Sequence, residues 1–122
     1  MYDPRLSIIG ERLSGINRII VVSSGKGGVG KSLIASTISL LLARRGFKVG
    51  LLDLDFTSPT THVVLGVRGM QPSEDRGIVP PTVHGIKYMS LIFYLGERLA
   101  PLRGSELSNA LLEVLSVTLW GS

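Results

Sequence analysis

The stretch Gly25-Lys26-Gly27-Gly28-Val29-Gly30-Lys31-Ser32 decides the fold of this chain of 122 residues. It matches the phosphate-loop pattern G-x-x-x-x-G-K-[ST]. Glycines let the backbone bend around an anion and turn its N–H groups inward, and the helix that follows adds its own free N–H groups and its dipole. Lys31 is expected to reach the β- and γ-phosphates of a nucleotide, and the Ser32 hydroxyl to hold Mg²⁺.

The segments on either side of this loop have the context that the motif requires. Residues 18–23 form a short β-branched run, which predicts a strand covered on both faces. Residues 32–45 have apolar side chains at helical spacing, and Gly46 follows at a plausible C′ position. Residues 48–54 predict a second buried strand. Strand, loop, helix and strand make a right-handed βαβ unit, so we predict an α/β fold with a parallel sheet flanked by helices on both faces.

The rest of the chain is expected to complete the same domain. Three further helices are predicted: an amphipathic helix over 5–16, a short helix capped by Ser58 with Pro59 in its first turn, and a helix over 105–119 whose N-cap is Ser105. A surface loop is predicted over 66–81. Two strands are predicted over 78–83 and 86–91, joined by a turn at His84-Gly85. The expected organisation is an N-terminal helix (1–17), the phosphate-loop βαβ unit (18–55) and a remainder (56–122) of one domain.

Composition limits the classes of function. A hydrophobic share of 44% argues against a disordered chain, and the absence of cysteine excludes disulfides and cysteine-held zinc or iron–sulfur sites within these residues. No apolar run reaches the roughly 20 residues of a membrane span, and the N-terminus does not resemble a secretory signal, so we expect a cytoplasmic protein. The net charge of +4 is spread along the chain, and this favours a solvated surface over a nucleic-acid partner.

Two carboxylates end the second predicted strand. Asp53 and Asp55 should lie at the carboxyl edge of the sheet, beside the first βα loop, where ligands bind in doubly wound folds. Carboxylates there can orient a water molecule or complete the magnesium shell, so with Ser32 they are the candidate metal residues. The alternative is that they cap the short helix that follows.

Lys26 marks a deviant phosphate loop, K-G-G-x-G-K-[ST]. The sequence thereby resembles the MinD/ParA superfamily of ATPases. That resemblance implies that Lys26 reaches across a homodimer to the partner's ATP, and that Asp55 lies near the γ-phosphate; Lys26, Lys31 and Asp55 are then the candidate catalytic residues. The candidate nucleotide-binding residues are Gly25, Lys26, Gly27, Gly28, Val29, Gly30, Lys31, Ser32 and Leu33.

Two later segments resemble one branch of this superfamily, the Mrp/ApbC proteins. Residues 81–90 are similar to that branch's P-V-x-x-x-G-[VI]-K-x-[ML]-S segment, and residues 103–121 resemble its stretch from R-G to W-G. The resemblance implies an iron–sulfur cluster carrier that binds and hydrolyses ATP. The cluster ligands cannot come from these 122 residues, because they contain no cysteine.

The sequence departs from the branch in three places. Residues 57–61 replace its Gly-Pro-Ser element, Leu33 replaces a second hydroxyl residue, and the expected Walker B strand does not follow Trp120-Gly121. We therefore expect an N-terminal portion with impaired hydrolysis, which self-associates or forms a homodimer through its nucleotide face or a truncated sheet edge. The alternatives are a positioning ATPase of the MinD/ParA type and a non-catalytic nucleotide-binding half domain.

Overall fold

A mixed β-sheet with helices packed against it forms the described part of the chain. The computed structural model describes residues 3–23, 30–55, 61–67, 70–74, 77–91, 93 and 104–121, with the backbone alone for 104–107. The elements in chain order are α1 (Pro4–Leu13), α2 (Lys31–Arg44), β1 (Val49–Asp53), α3 (Thr61–Leu65), β2 (Ser73–Glu74), β3 (Ile78–Val79), β4 (Thr82–Val83), β5 (Ile86–Ser90) and α4 (Gly104–Val117). The helix predicted over 105–119 begins at Gly104, so Ser105 lies in its first turn and is not its N-cap.

The sheet has the strand order β1-β5-β4. β1 and β5 are parallel, in a register that runs from Val49 opposite Ile86 to Asp53 opposite Ser90. β4 pairs antiparallel with β5 across the turn predicted at His84-Gly85, where both residues have positive φ, as a two-residue primed turn requires. This hairpin makes the sheet mixed and not wholly parallel. The surface loop expected over 66–81 also contains a small antiparallel pair, β2 with β3.

The strand predicted over residues 18–23 is not formed in the structure. The run has no regular secondary structure, and Ile19, Ile20 and Val21 are 62%, 67% and 81% exposed. A strand is stabilised by its ladder and by the side chains packed on its faces. The described sheet has the order β1-β5-β4 and does not include the run, so the βαβ unit lacks its first strand.

Helix α2 turns an unexpected face towards the rest of the described chain. It buries three small side chains, Ser32, Ser36 and Ser39, which let the helix approach its neighbours closely. Four of its large aliphatic side chains are exposed instead, namely Leu33, Ile34, Ile38 and Leu41, whereas Leu40 packs against the core. An aliphatic face of this kind ordinarily faces a core. The helix ends as predicted, with Gly46 at a φ of 89° immediately after Arg45.

The core lies on both faces of β5, because alternate side chains of a strand point to opposite faces. Ile86 and Tyr88 belong to one buried cluster, and Met89 belongs to the other, with Trp120. The second cluster includes Val114 of α4, which places α4 beneath the sheet. α1 packs on α4, where the Arg5 guanidinium donates to Asn109 Oδ1 at 3.0 Å. The N-terminal helix is therefore part of the same packed unit.

Candidate functional site

The start of α2 and the carboxyl end of β1 meet at one edge of the sheet. The ammonium group of Lys31 lies 3.5 Å from Asp55 Oδ2, and both side chains are largely withdrawn from solvent. The motif lysine and the second aspartate, which are far apart in sequence, are thus brought together by the fold. Opposite charges this close in a partly buried setting attract each other more strongly than an exposed pair.

Gly30 forms the described end of the junction between the predicted phosphate loop and α2. Gly30 adopts a φ of 83°, which favours glycine, and its carbonyl accepts the first described helical hydrogen bond, from Ile34 at 2.9 Å. Gly30 is the N-cap and has no side chain with which to cap the first N–H groups of α2. The predicted residues 25–29, Lys26 among them, lie outside the described residues.

Asp53 makes contacts different from those of Asp55. Its side chain is buried at the end of β1, and Oδ1 accepts the Asp55 backbone N–H at 3.0 Å. Oδ2 accepts both the backbone N–H and the hydroxyl of Thr61, at 3.2 and 2.6 Å. Asp53 therefore accepts hydrogen bonds from the backbone on both sides of the chain segment that leads from β1 to α3.

Tyr88 extends this arrangement into the core. Its hydroxyl lies 2.7 Å from Thr61 Oγ1, and the side chain is fully buried on β5. Burial raises the pKa of Tyr88 above its ordinary value; hydrogen bonds with Thr61 and Ser90 oppose this increase, and the negative charge of Asp53 adds to it. The phenol is therefore neutral at physiological pH and can donate a hydrogen bond.

The remaining predicted residues that the structure describes include both buried and exposed side chains. Ser32 is buried in the first turn of α2, whereas Leu33 is mostly exposed beside it. His84 lies in the hairpin turn, as predicted, with Nε2 2.9 Å from the Leu65 carbonyl. Among the described residues no group of three or more His, Cys, Asp or Glu side chains converges on one point.

Sequence reasoning missed Thr61 and Tyr88. Thr61 stands in a segment whose sequence departs from the resembling branch, and Tyr88 reads as a core aromatic of a buried strand. A hydroxyl residue shortly after a strand-ending aspartate is a weak signal of a cap. The register of β1 against β5 brings the Tyr88 hydroxyl next to Thr61. The periodicity of the sequence does not predict that register.

Comparison with known proteins identifies the family to which the chain is related. A family model described as "ParA: NUBPL iron-transfer P-loop NTPase" matches residues 15–122. An iron-sulfur cluster carrier protein of Aquifex aeolicus is 39% identical over 116 residues, covering 92% of this chain and 32% of that protein. The protein of the same name from Escherichia coli is 40% identical over 111 residues, covering 88% of this chain and 30% of that protein.

A solved structure shares the fold. A nucleotide-binding protein from Archaeoglobus fulgidus, in complex with ADP, has a TM-score of 0.79 and 35% identity, covering 94% of this chain and 44% of that one. The present chain thus spans less than half the length of these relatives. The resemblance to Mrp/ApbC proteins is confirmed, and the chain belongs to the ParA/NUBPL family of iron-transfer P-loop NTPases.

Proposed function

We propose that this chain binds Mg-ATP at the N-terminus of α2, as the nucleotide-binding part of an Mrp/ApbC-like iron–sulfur cluster carrier. The observation that carries the proposal is the approach of Lys31 to Asp55 directly beside the first turn of α2, where the N-cap residue Gly30 has no capping side chain. A cation, free helix N–H groups and a carboxylate are the groups that a magnesium-bound triphosphate needs.

The donor set fits the proposed ligand. Lys31 would bind the β- and γ-phosphates, and the backbone N–H groups of α2 would add to the phosphate cradle. The Ser32 hydroxyl and Asp55 would face magnesium, which when bound neutralises phosphate charge. Asp53, whose oxygens accept hydrogen bonds from Asp55 and Thr61, would support the metal site through its neighbours. Lys26, with residues 25–29, completes the proposed loop.

The test is calorimetry with Mg-ATP on the unchanged chain and on two alanine variants. Lys31→Ala should weaken binding at least tenfold, because it removes a charge-assisted contact to phosphate. Lys48→Ala removes the same charge at an exposed position outside the site and should leave binding within about twofold. Equal effects of the two substitutions, or no binding by the unchanged chain, would contradict the proposal.

Hydrolysis and cluster transfer are activities that we propose for the family's longer chains. We propose that this chain binds ATP but turns it over slowly, and that it supplies no cluster ligand, because its residues include no cysteine. Release of phosphate from Mg-ATP, followed alongside binding, separates an active ATPase from a nucleotide-binding module. Anaerobic reconstitution with iron and sulfide should yield no cluster absorption from the chain alone.

We also propose that the chain self-associates. Lys26 would act across a homodimer at the nucleotide face, as in the resembling superfamily. The apolar surface formed by Ile19, Ile20 and Val21 offers a second route, because an unpaired β-branched run can pair with a strand of another copy. Among the described residues, no helix is both long and apolar enough to cross a membrane.

A further inference from the structure

A directed chain of hydrogen bonds joins the core of the sheet to the candidate site. Thr61 Oγ1 donates to Asp53 Oδ2, so its single proton is used there. The 2.7 Å contact between Thr61 Oγ1 and Tyr88 Oη must then have Tyr88 as the donor. The chain runs from the Tyr88 phenol through the Thr61 hydroxyl to the Asp53 carboxylate, and it ends on a negative charge.

The carboxylate at the end of this chain holds Asp55. Asp53 Oδ1 accepts the Asp55 N–H, while Oδ2 accepts two hydrogen bonds from Thr61. Asp53, Thr61 and Tyr88 are all nearly or fully buried, so water does not compete for these bonds as it does at the surface. Rotation of the Asp53 carboxylate would therefore change the backbone position of Asp55, whose side chain faces Lys31.

We propose that Thr61 and Tyr88 are positioning residues of the nucleotide site: through the Asp53 carboxylate they fix Asp55 opposite Lys31. This inference rests on the proposed binding of Mg-ATP. Neither residue needs to touch the nucleotide. Each acts through Asp53, because the tyrosine orients the threonine hydroxyl and the hydroxyl orients the carboxylate.

The experiment compares variants that keep side-chain shape. Thr61→Val and Tyr88→Phe each remove one hydroxyl from the series of hydrogen bonds. Thr61→Ser keeps a hydroxyl at the position of Thr61. Thr118→Val is the matched control, because the buried Thr118 hydroxyl donates to the Val114 carbonyl, at the end of α4. Hydrogen exchange of the Asp55 amide in the nucleotide-free chain and calorimetry with Mg-ATP are the two measurements.

In the nucleotide-free chain, Asp55 amide exchange should be faster by about tenfold in Thr61→Val and Tyr88→Phe, and unchanged in Thr61→Ser and Thr118→Val. Mg-ATP binding should weaken about threefold to tenfold in Thr61→Val, the range of one hydrogen bond. It should stay within about twofold in Thr61→Ser and Thr118→Val. In an Asp55→Asn background, Thr61→Val should have no further effect on binding, because the group that it positions is gone.

The outcomes separate this inference from the function on which it rests. Asp55 exchange that is unchanged in Thr61→Val overturns the positioning role, and so does equal weakening of binding by Thr61→Val and Thr118→Val, which would indicate only lost stability. Failure of Thr61→Ser to restore binding overturns it as well. Absence of Mg-ATP binding by the unchanged chain overturns the proposed function, and with it the role of the two residues in nucleotide binding.

Discussion

At the scale of single residues, the contact between Lys31 and Asp55 has two consequences for nucleotide binding. In the structure the Asp55 carboxylate partly neutralises the charge of Lys31, the lysine that we propose to bind phosphate. Phosphate without a metal must compete with that carboxylate and is repelled by it, whereas magnesium turns the same carboxylate into an attractive group. Asp55 should therefore make the site selective for metal-bound nucleotide.

Asp55→Asn tests this selectivity directly. We expect the variant to bind ADP without Mg²⁺ about threefold to tenfold more tightly than the unchanged chain, because one repulsive charge is removed. We expect it to gain less affinity on addition of Mg²⁺, because the side chain that we propose to face the metal has lost its charge. Calorimetry with ADP in chelator and in excess Mg²⁺ measures both changes. An affinity for metal-free ADP that falls or stays constant would show that Asp55 does not oppose phosphate.

Tyr88 gives a second prediction at this scale, for stability at alkaline pH. Its pKa is raised in the folded chain, so the folded state keeps the phenol proton at pH values where the unfolded chain loses it. The stabilisation is complete below about pH 10, the ordinary tyrosine pKa, and is lost as pH rises above it. Urea unfolding between pH 8 and 11 should show a steeper loss of stability in the unchanged chain than in Tyr88→Phe. The same dependence of stability on pH in both proteins would contradict the raised pKa of Tyr88.

At the scale of elements, β1 and the segment after α4 fit together closely. The Cβ of any larger residue at Gly50 would lie 2.8 Å from Trp120 Cε3, closer than real contacts allow. Lys87 of β5 fixes the same tryptophan by donating to its carbonyl at 2.6 Å. A glycine in a strand interior often marks such a close approach, which the strand prediction over 48–54 did not anticipate.

Gly50→Ala should therefore destabilise the chain, by about 1–3 kcal/mol, because the indole ring must shift to admit the methyl group. Gly10→Ala is the matched control: it lies within α1 with no atom within 4 Å of the added Cβ. This change should stabilise by up to about 1 kcal/mol, the helix-propensity difference. Urea unfolding of the two variants measures the change in the free energy of unfolding. A change in the same direction in both variants would contradict the close contact between Gly50 and Trp120.

Elements differed in how far sequence could predict them. The hairpin at His84-Gly85 and the end of α2 near Gly46 depend on local backbone conformation, and both are found as predicted. The run over 18–23 depends on partners elsewhere in the chain. Its β-branched residues favour a strand, but the described sheet supplies it with no ladder.

At the scale of the whole molecule, the described chain leaves much aliphatic surface exposed. The outward face of α2 and the run at 19–21 both expose large apolar side chains, and exposed apolar patches on proteins often mark interaction surfaces. Burial of such surface is favourable by roughly 25 cal/mol per Å², which provides a driving force for association.

We therefore expect the apparent mass to rise with concentration in light scattering. Ile20→Lys, in the exposed run, should shift the chain towards monomer, because charge on an unpaired strand opposes strand pairing between copies. Ile8→Lys is the control, since Ile8 is also an exposed isoleucine but lies on α1. A monodisperse monomer across the concentration series would contradict self-association, and equal effects of both variants would argue against pairing through this run.

The sequence by itself determined the class of fold and predicted the kind of site. The G-x-x-x-x-G-K-[ST] motif and the Asp53–Asp55 pair predicted a phosphate-binding loop beside the end of a strand, since each is a short pattern of local chemistry. Only the tertiary structure decided that Asp55 faces Lys31 while Asp53 is buried against Thr61 and Tyr88. Which of two neighbouring carboxylates faces a ligand depends on strand register and on the packing of α3, and both arise from contacts between residues far apart in the chain.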